Sequence, residues 1–267
     1  MPKYYYGGID QNNSYKKVLS ILSARDSLNS VRTSTLPLAQ FWGEKGLKTR
    51  LSAFKQYLDV EELLKADKYF EFPTVVKGGI GKASMTDLML LTDKFGIAIE
   101  AKYTEYNGTR KYETVSEWSK KRKKTENAEA VLDGWLSYMG KKRDEISNLD
   151  SIPYQLIHRI ASAYAVCVEN KRTPVVVYQL FSDANTKPED IEGFVDCLGK
   201  GMRNLALADL TFVVVRTEID NVPPDIHDRN SEYFLNMCEK ERNVYGELNK
   251  TTVLLHKASR TTEIKRV

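Results

Sequence analysis

The chain has 267 residues, 42% hydrophobic and 28% charged, with 15 Gly and 8 Pro, which allows a sizeable core and excludes low-complexity and collagen-like classes. Its 40 Lys and Arg against 36 Asp and Glu leave a net charge of +4, too mild by itself to mark a polyanion-binding protein. Three scattered cysteines (Cys167, Cys197, Cys238) argue against a disulfide framework, His158, His227 and His256 offer no zinc spacing, and no leader-like start or membrane-length apolar run is present. A soluble, cytoplasmic globular protein with no membrane partner is expected.

Residues 1–33 are polar and tyrosine-rich, with a helical pattern over Tyr15–Leu28. A helix begins near Thr35, where Ser34 or Thr35 can cap, Pro37 suits the first turn, and Leu38, Phe41 and Trp42 start an apolar stripe. Gly43 and Gly46 interrupt it, so one helix or two can cover 36–66. Strands are predicted over Phe70–Val76, Met85–Leu91 and Ile97–Tyr103, the last two as a hairpin. Gly78-Gly79-Ile80-Gly81-Lys82 lacks phosphate-loop spacing and precedes a strand, so it reads as a turn. A charged helical stretch follows over about 113–146 and an amphipathic helix over 152–169. Pro174–Phe181 and Leu210–Arg216 read as buried strands around a helix at 188–206, with a helix near 230–246 and a short strand at Thr251–Leu255. The order predicts a single α/β domain with a mixed central sheet flanked by helices. The core covers 36–217, with 1–35 and 218–267 as extensions.

Chemistry concentrates in Ser84–Lys102. Strand alternation sends Ile97, Ile99 and Ala101 one way and Glu100 and Lys102 the other. A two-residue turn at Asp93-Lys94 sets Asp87 opposite Glu100, and a four-residue loop sets it opposite Lys102, on the same face either way. Two carboxylates so close need a cation or a shared proton between them. Mg²⁺, with Mn²⁺ able to substitute, suits hard oxygen ligands. It polarises a phosphodiester while a lysine orients the attacking water. The competing reading is a salt bridge across a hairpin.

This segment resembles the PD-(D/E)XK, or restriction-endonuclease-like, nuclease superfamily: an Asp ending one strand and Glu-x-Lys on the next, inside an αβββαβ core. Thr86-Asp87 stands where that pattern has Pro-Asp. The run Ile99–Lys102, Thr114–Trp118 and Tyr154–Ala163 is also similar to an uncharacterised bacterial family carrying E-G-K, T-V-G-E-W and Y-Q-L-L-H-R motifs. The resemblance implies a metal-dependent nuclease acting on nucleic acid, DNA favoured, with Asp87 and Glu100 as metal ligands and Lys102 as the water-positioning group. A homodimer is a compatible assembly, since such enzymes often dimerise to cut both strands. The superfamily's acidic residue on the first helix has four candidates here: Glu44, Glu61, Glu62 and Glu71. The alternative is a non-catalytic nucleic-acid-binding or interaction protein that keeps the fold.

On the 152–169 helix, Leu156, Ile160, Ala163 and Cys167 form the core stripe, and Gln155, Arg159 and Ser162 a polar one. Gln155 and Arg159 read as reaching the site, contacting a phosphate or holding the metal-bound water, and Gln155 resembles an accessory catalytic position of RecB-like members; a solvated face is the competing reading. His158 reads as a structural hydrogen-bonding residue, and no base is expected beside Ser84 or Cys167. Lys120, Lys121, Arg122, Lys123 and Lys124 form the strongest charge run and candidate backbone contacts. From Lys102 to Thr125, eight basic residues face three glutamates, a net of +5 that leaves the rest of the chain at −1. Trp118 and Trp135 read as packing residues.

Overall fold

The computed structural model describes residues 2–11, 14–24, 33–78, 82–105, 112–122, 125–168, 170–220, 245–261 and 263–267. The segments that β-branched and apolar runs mark as doubly covered form the centre of a nine-stranded mixed sheet. Its strands are β1 (Tyr4–Tyr6), β2 (Ile9–Asp10), β3 (Asp67–Thr74), β4 (Ser84–Leu91), β5 (Phe95–Lys102), β6 (Thr173–Ser182), β7 (Thr211–Glu218), β8 (Thr251–Lys257) and β9 (Lys265–Arg266). They lie in the order β2-β1-β3-β4-β5-β6-β7-β8-β9. β5, β6 and β7 run parallel, and antiparallel strands flank them on both sides.

Helices cover both faces. On the first lie α1 (Tyr15–Ala24), α2 (Thr35–Phe41), α3 (Leu47–Arg50), a 3-10 turn at Leu51–Phe54 and α4 (Val60–Lys65). On the second lie α5 (Val115–Lys120), α6 (Thr125–Tyr138), α7 (Tyr154–Val168) and α8 (Pro188–Leu205). β6 shows why the sheet needs two covers: Val175, Val177 and Phe181 pack into the first layer, while Val176, Tyr178 and Leu180 pack into the second. Such a strand is apolar throughout because neither face meets water.

The 36–66 region is neither one helix nor two: α2, the contiguous α3 and 3-10 turn, and α4 divide it, with the first break over Gly43–Gly46. The expected helix over 113–146 is instead α5 and α6. From Ser119 to Asn127 the sequence has no apolar residue to anchor one continuous helix to the core. α5 is started by a capping box in which Thr114 and Glu117 exchange side-chain and backbone hydrogen bonds. Both regions named as extensions contribute strands: β1 pairs parallel to β3, and β8 pairs with β7. The helix expected near 230–246 lies almost wholly outside the described residues. No helix among the described residues is long and apolar enough to cross a membrane.

Two devices position the site. The Thr92 N–H donates to the Phe95 carbonyl and the Phe95 N–H to Thr92 Oγ1, closing a two-residue turn at Asp93-Lys94. The β4–β5 pairs Leu88–Ile99 through Leu91–Gly96 follow from it, which is the register that brings Asp87 to Glu100. Gly96 lets α7 lie close on β5: a Cβ there would meet Cys167 Sγ at 2.6 Å and Val166 Cγ2 at 2.7 Å. That close approach seats the end of α7 on the start of β5, while Gln155 and Arg159 at the helix start reach Glu100 near the strand's end.

Candidate functional site

Glu100 is buried on the second face of β5 and takes donors on both carboxylate oxygens. Lys102 Nζ donates to Oε1 at 2.7 Å, and Gln155 Nε2 donates to the same oxygen. Arg159 donates through Nε to Oε2 at 2.7 Å and through a second guanidinium nitrogen. The remaining Arg159 donors go to Thr86 Oγ1 and, at 2.9 Å, to the Met85 carbonyl. A guanidinium fork suits this task because it can grip a carboxylate and brace a neighbouring strand at once.

Asp87 sits where regular alternation breaks. Phe70 and Leu88 pack into the first layer, but the next ladder pair, Phe72 and Thr86, turns toward the second. Between these pairs lie Glu71 and Asp87, and Glu71 holds a left-handed φ of +52°. A non-glycine residue there stores about 1–3 kcal/mol of backbone strain. Asp87 turns its Oδ2 to accept from the Ala101 N–H at 2.8 Å. No donor among the described residues is seen on Oδ1.

The two carboxyls are driven apart in proton affinity. Burial and the charge of Glu100 push Asp87 up to about 8, against the pull of Arg159, Lys102 and the Ala101 N–H. Burial would raise Glu100 as well, but Arg159 and Lys102 outweigh it and hold the group down at about 2. The same pairing raises the Lys102 ammonium although burial opposes this. Tyr178, beside Glu100 in the β5–β6 register, has a buried hydroxyl with no hydrogen-bond partner among the described residues. Two neighbouring carboxyls with opposite shifts and an unspent buried hydroxyl make this cluster the candidate site.

Asp87, Glu100, Lys102 and Gln155 thus form one cluster. Arg159 joins it from below: it reaches the site, and, buried with its donors spent on Glu100, Thr86 and Met85, it presents none of them to a phosphate. Lys120, Lys121 and Arg122 are exposed at the end of α5. Lys121 pairs with Glu113 at 2.7 Å, and Arg122 lies over the Trp118 ring at 5.1 Å. Lys123 and Lys124 lie outside the described residues. Trp118 and Trp135 are buried, with Trp118 stacked on Tyr154. Ser162 is buried and bonds back to the His158 carbonyl.

Of the four acidic candidates, Glu71 lies beside Asp87. Glu62 instead pairs with Lys94 at the hairpin tip, and Glu44 and Glu61 are exposed. Sequence reasoning missed one contact: Ser84 Oγ lies 2.8 Å from His158 Nδ1, so a ring nitrogen does stand beside that serine. Among the described residues no three His, Cys, Asp or Glu side chains group to hold a metal ion.

No curated protein and no solved structure matches the chain. The family described as a domain of unknown function (DUF6946) matches residues 11–220, a span that contains every residue of the cluster, and the chain belongs to that family.

Proposed function

We propose that the protein is a metal-dependent phosphodiester hydrolase of the PD-(D/E)XK type, a nuclease with DNA as the favoured substrate, working in the cytoplasm. The observation that carries this reading is the convergence of Asp87, Glu100, Lys102 and Gln155 at the end of β5. The reading draws support from the order of helices α2–α4, strands β3–β5, helix α7 and strand β6, which is compatible with an αβββαβ core.

The residues present suit a divalent ion. Asp87 is a desolvated carboxyl that makes no direct ion pair among the described residues, and no donor from them is seen on its Oδ1. Glu100 Oε1 becomes available when Lys102 or Gln155 lets go. Asp87 and Glu100 would hold Mg²⁺ or Mn²⁺, which supplies Lewis-acid polarisation of the phosphodiester. Lys102, 13% exposed against 1% for Glu100, reaches solvent, where it can orient the attacking water. Gln155 steadies Glu100 Oε1, and Arg159 fixes the opposite oxygen. Cleavage of both strands would call for two copies of the chain.

One observation favours the second reading, a binding protein that keeps the fold without catalysis: Glu100 is already satisfied on both oxygens. A cleavage assay with Mg²⁺ or Mn²⁺ on single- and double-stranded DNA and RNA separates the two. The nuclease reading expects hydrolysis that Lys102→Ala lowers by about a hundredfold or more. Binding without hydrolysis by the wild type supports the second reading, and equal cleavage by both proteins places the activity elsewhere.

A further inference from the structure

Ser84 opens β4 and His158 lies on α7, yet Oγ and Nδ1 share one proton across 2.8 Å. His158 follows Gln155 by three residues, so the two are neighbours on one helix face. The imidazole therefore stands beside the amide that reaches Glu100. Ser84, Asp87, Lys102, Gln155 and His158 are each only partly buried, whereas Glu100 and Arg159 beneath them are buried. Those five residues form the open side of the cluster. Tyr154 packs edge-on against the imidazole at 5.1 Å and Trp135 lies at 6.1 Å, which restricts the ring.

A serine beside a histidine first suggests a nucleophile and its base. Here the ring is too weak a base for that: burial, Arg159 and Lys102 press its pKa down to about 3 against the pull of Glu100. No carboxylate among the described residues hydrogen-bonds the ring to complete a triad. A neutral imidazole of this kind is instead a good donor. If the Ser84 hydroxyl donates to Nδ1, the ring proton resides on Nε2, the nitrogen that Ser84 leaves unused. Such a donor adds a hydrogen bond to an anion without adding a third cation beside Lys102 and Arg159.

We infer that Ser84 sets the tautomer of His158 so that its Nε2–H binds a non-bridging oxygen of a nucleic-acid phosphodiester. His158 is then a substrate-binding residue, and Ser84 is a positioning residue that acts through it. The inference rests on the phosphodiester reading of the neighbouring cluster, but its test does not depend on turnover.

Nitrogen-15 NMR of the histidine rings in the full chain, with no divalent ion added, reads the tautomer directly. The chain has three histidines, and His158→Gln assigns the signal. At neutral pH the expected ring is uncharged with its proton on Nε2, and the dinucleotide thymidylyl-thymidine shifts that signal. Ser84→Ala should redistribute the tautomers and weaken dinucleotide binding by about two- to tenfold, the scale of one neutral hydrogen bond. His158→Gln keeps an N–H near the Nε2 position and should bind like the wild type, while His158→Phe should lose the same factor as Ser84→Ala. Should the phenylalanine variant fail to fold, the glutamine rescue and the Ser84→Ala tautomer still decide. A proton on Nδ1, a charged ring, or an Nε2 signal unmoved by saturating dinucleotide overturns the inference. A shifted Nε2 signal in a wild type that hydrolyses nothing upholds it and overturns the nuclease reading alone.

Discussion

The carboxyl ends of β5, β6 and β7 carry two buried polar clusters, one on each face of the sheet, built on opposite plans. On the first face, Trp42 Nε1 donates to Gln179 Oε1 at 3.0 Å and Gln179 Nε2 donates to Thr217 Oγ1 at 3.1 Å. Thr217 then shares a proton with Thr251 across 3.2 Å. Every group in that chain is neutral. One residue away along β5 and β6, Glu100 and Tyr178 face the other side, among Asp87, Lys102 and Arg159. There charges are desolvated, two carboxyls are split in proton affinity, a hydroxyl is left without a partner among the described residues, and the edge carries the strained Glu71. The first plan specifies a fold at modest cost. The second costs stability that well-packed apolar residues would not, since buried ion pairs seldom surpass them. The proposed hydrolase would account for a chain that carries such a charged cluster at this end of the sheet on one face and a neutral one on the other.

The largest expected effect strikes the charged face. Arg159→Met leaves Glu100 with an uncompensated buried charge and should cost about 3–5 kcal/mol in urea unfolding. Arg159→Lys should recover only part, because a single ammonium cannot reach Glu100, Thr86 and Met85 together. Gln179→Leu, the matching insult to the neutral face, should cost about 1–3 kcal/mol and leave divalent-ion binding unchanged. Equal losses from the two would dissolve the contrast.

Gly96→Ala should destabilise by about 1–3 kcal/mol through overpacking against Cys167 and Val166. It should also lower any hydrolysis, since it lifts α7, and with it Gln155 and Arg159, from β5. An intact rate with that stability loss would show that the site does not depend on the placement of α7.

The last effect is a slope in pH. Asp87 has a folded pKa raised above its unfolded value, so the stability tied to its protonated form is full below the unfolded pKa and is lost as pH rises toward about 8. Asp87→Asn removes that loss: the variant should gain on the wild type as pH climbs from mildly acidic to about 8. Glu100 runs oppositely, its contribution fading as pH falls toward about 2. Parallel stability curves for wild type and Asp87→Asn would contradict the coupling of the two carboxyls.

What the sequence disclosed, and what it hid, follows from distance along the chain. The β4–β5 register was readable because a two-residue turn and a period of two leave few choices, and β6 and β7 were readable as uninterrupted apolar runs. β1 was not, because three tyrosines acquire strand character only by pairing with Lys68–Phe70, far along the chain. Helical spacing placed Gln155 and Arg159 on one face of α7. It could not say that Arg159 dives to Glu100 rather than reaching outward, since depth is set by β5 and by the close approach at Gly96. The Ser84–His158 contact was hidden for the same reason: neither local stretch carries a sign of the other. Likewise, alternation put Asp87 with Glu100, but nothing local announced the break at Glu71 that turns its carboxylate to the Ala101 N–H.

The most direct test of the charged face is a calorimetric titration of Mn²⁺ into the full chain at mildly alkaline pH, where Asp87 gives up its proton. Wild type and Gln179→Leu should bind with equal affinity, and Asp87→Asn and Glu100→Gln should each weaken binding by about tenfold or more, the removal of a charged ligand. Wild-type protein that takes up no Mn²⁺, or Mn²⁺ binding that survives both carboxylate changes, would contradict the account.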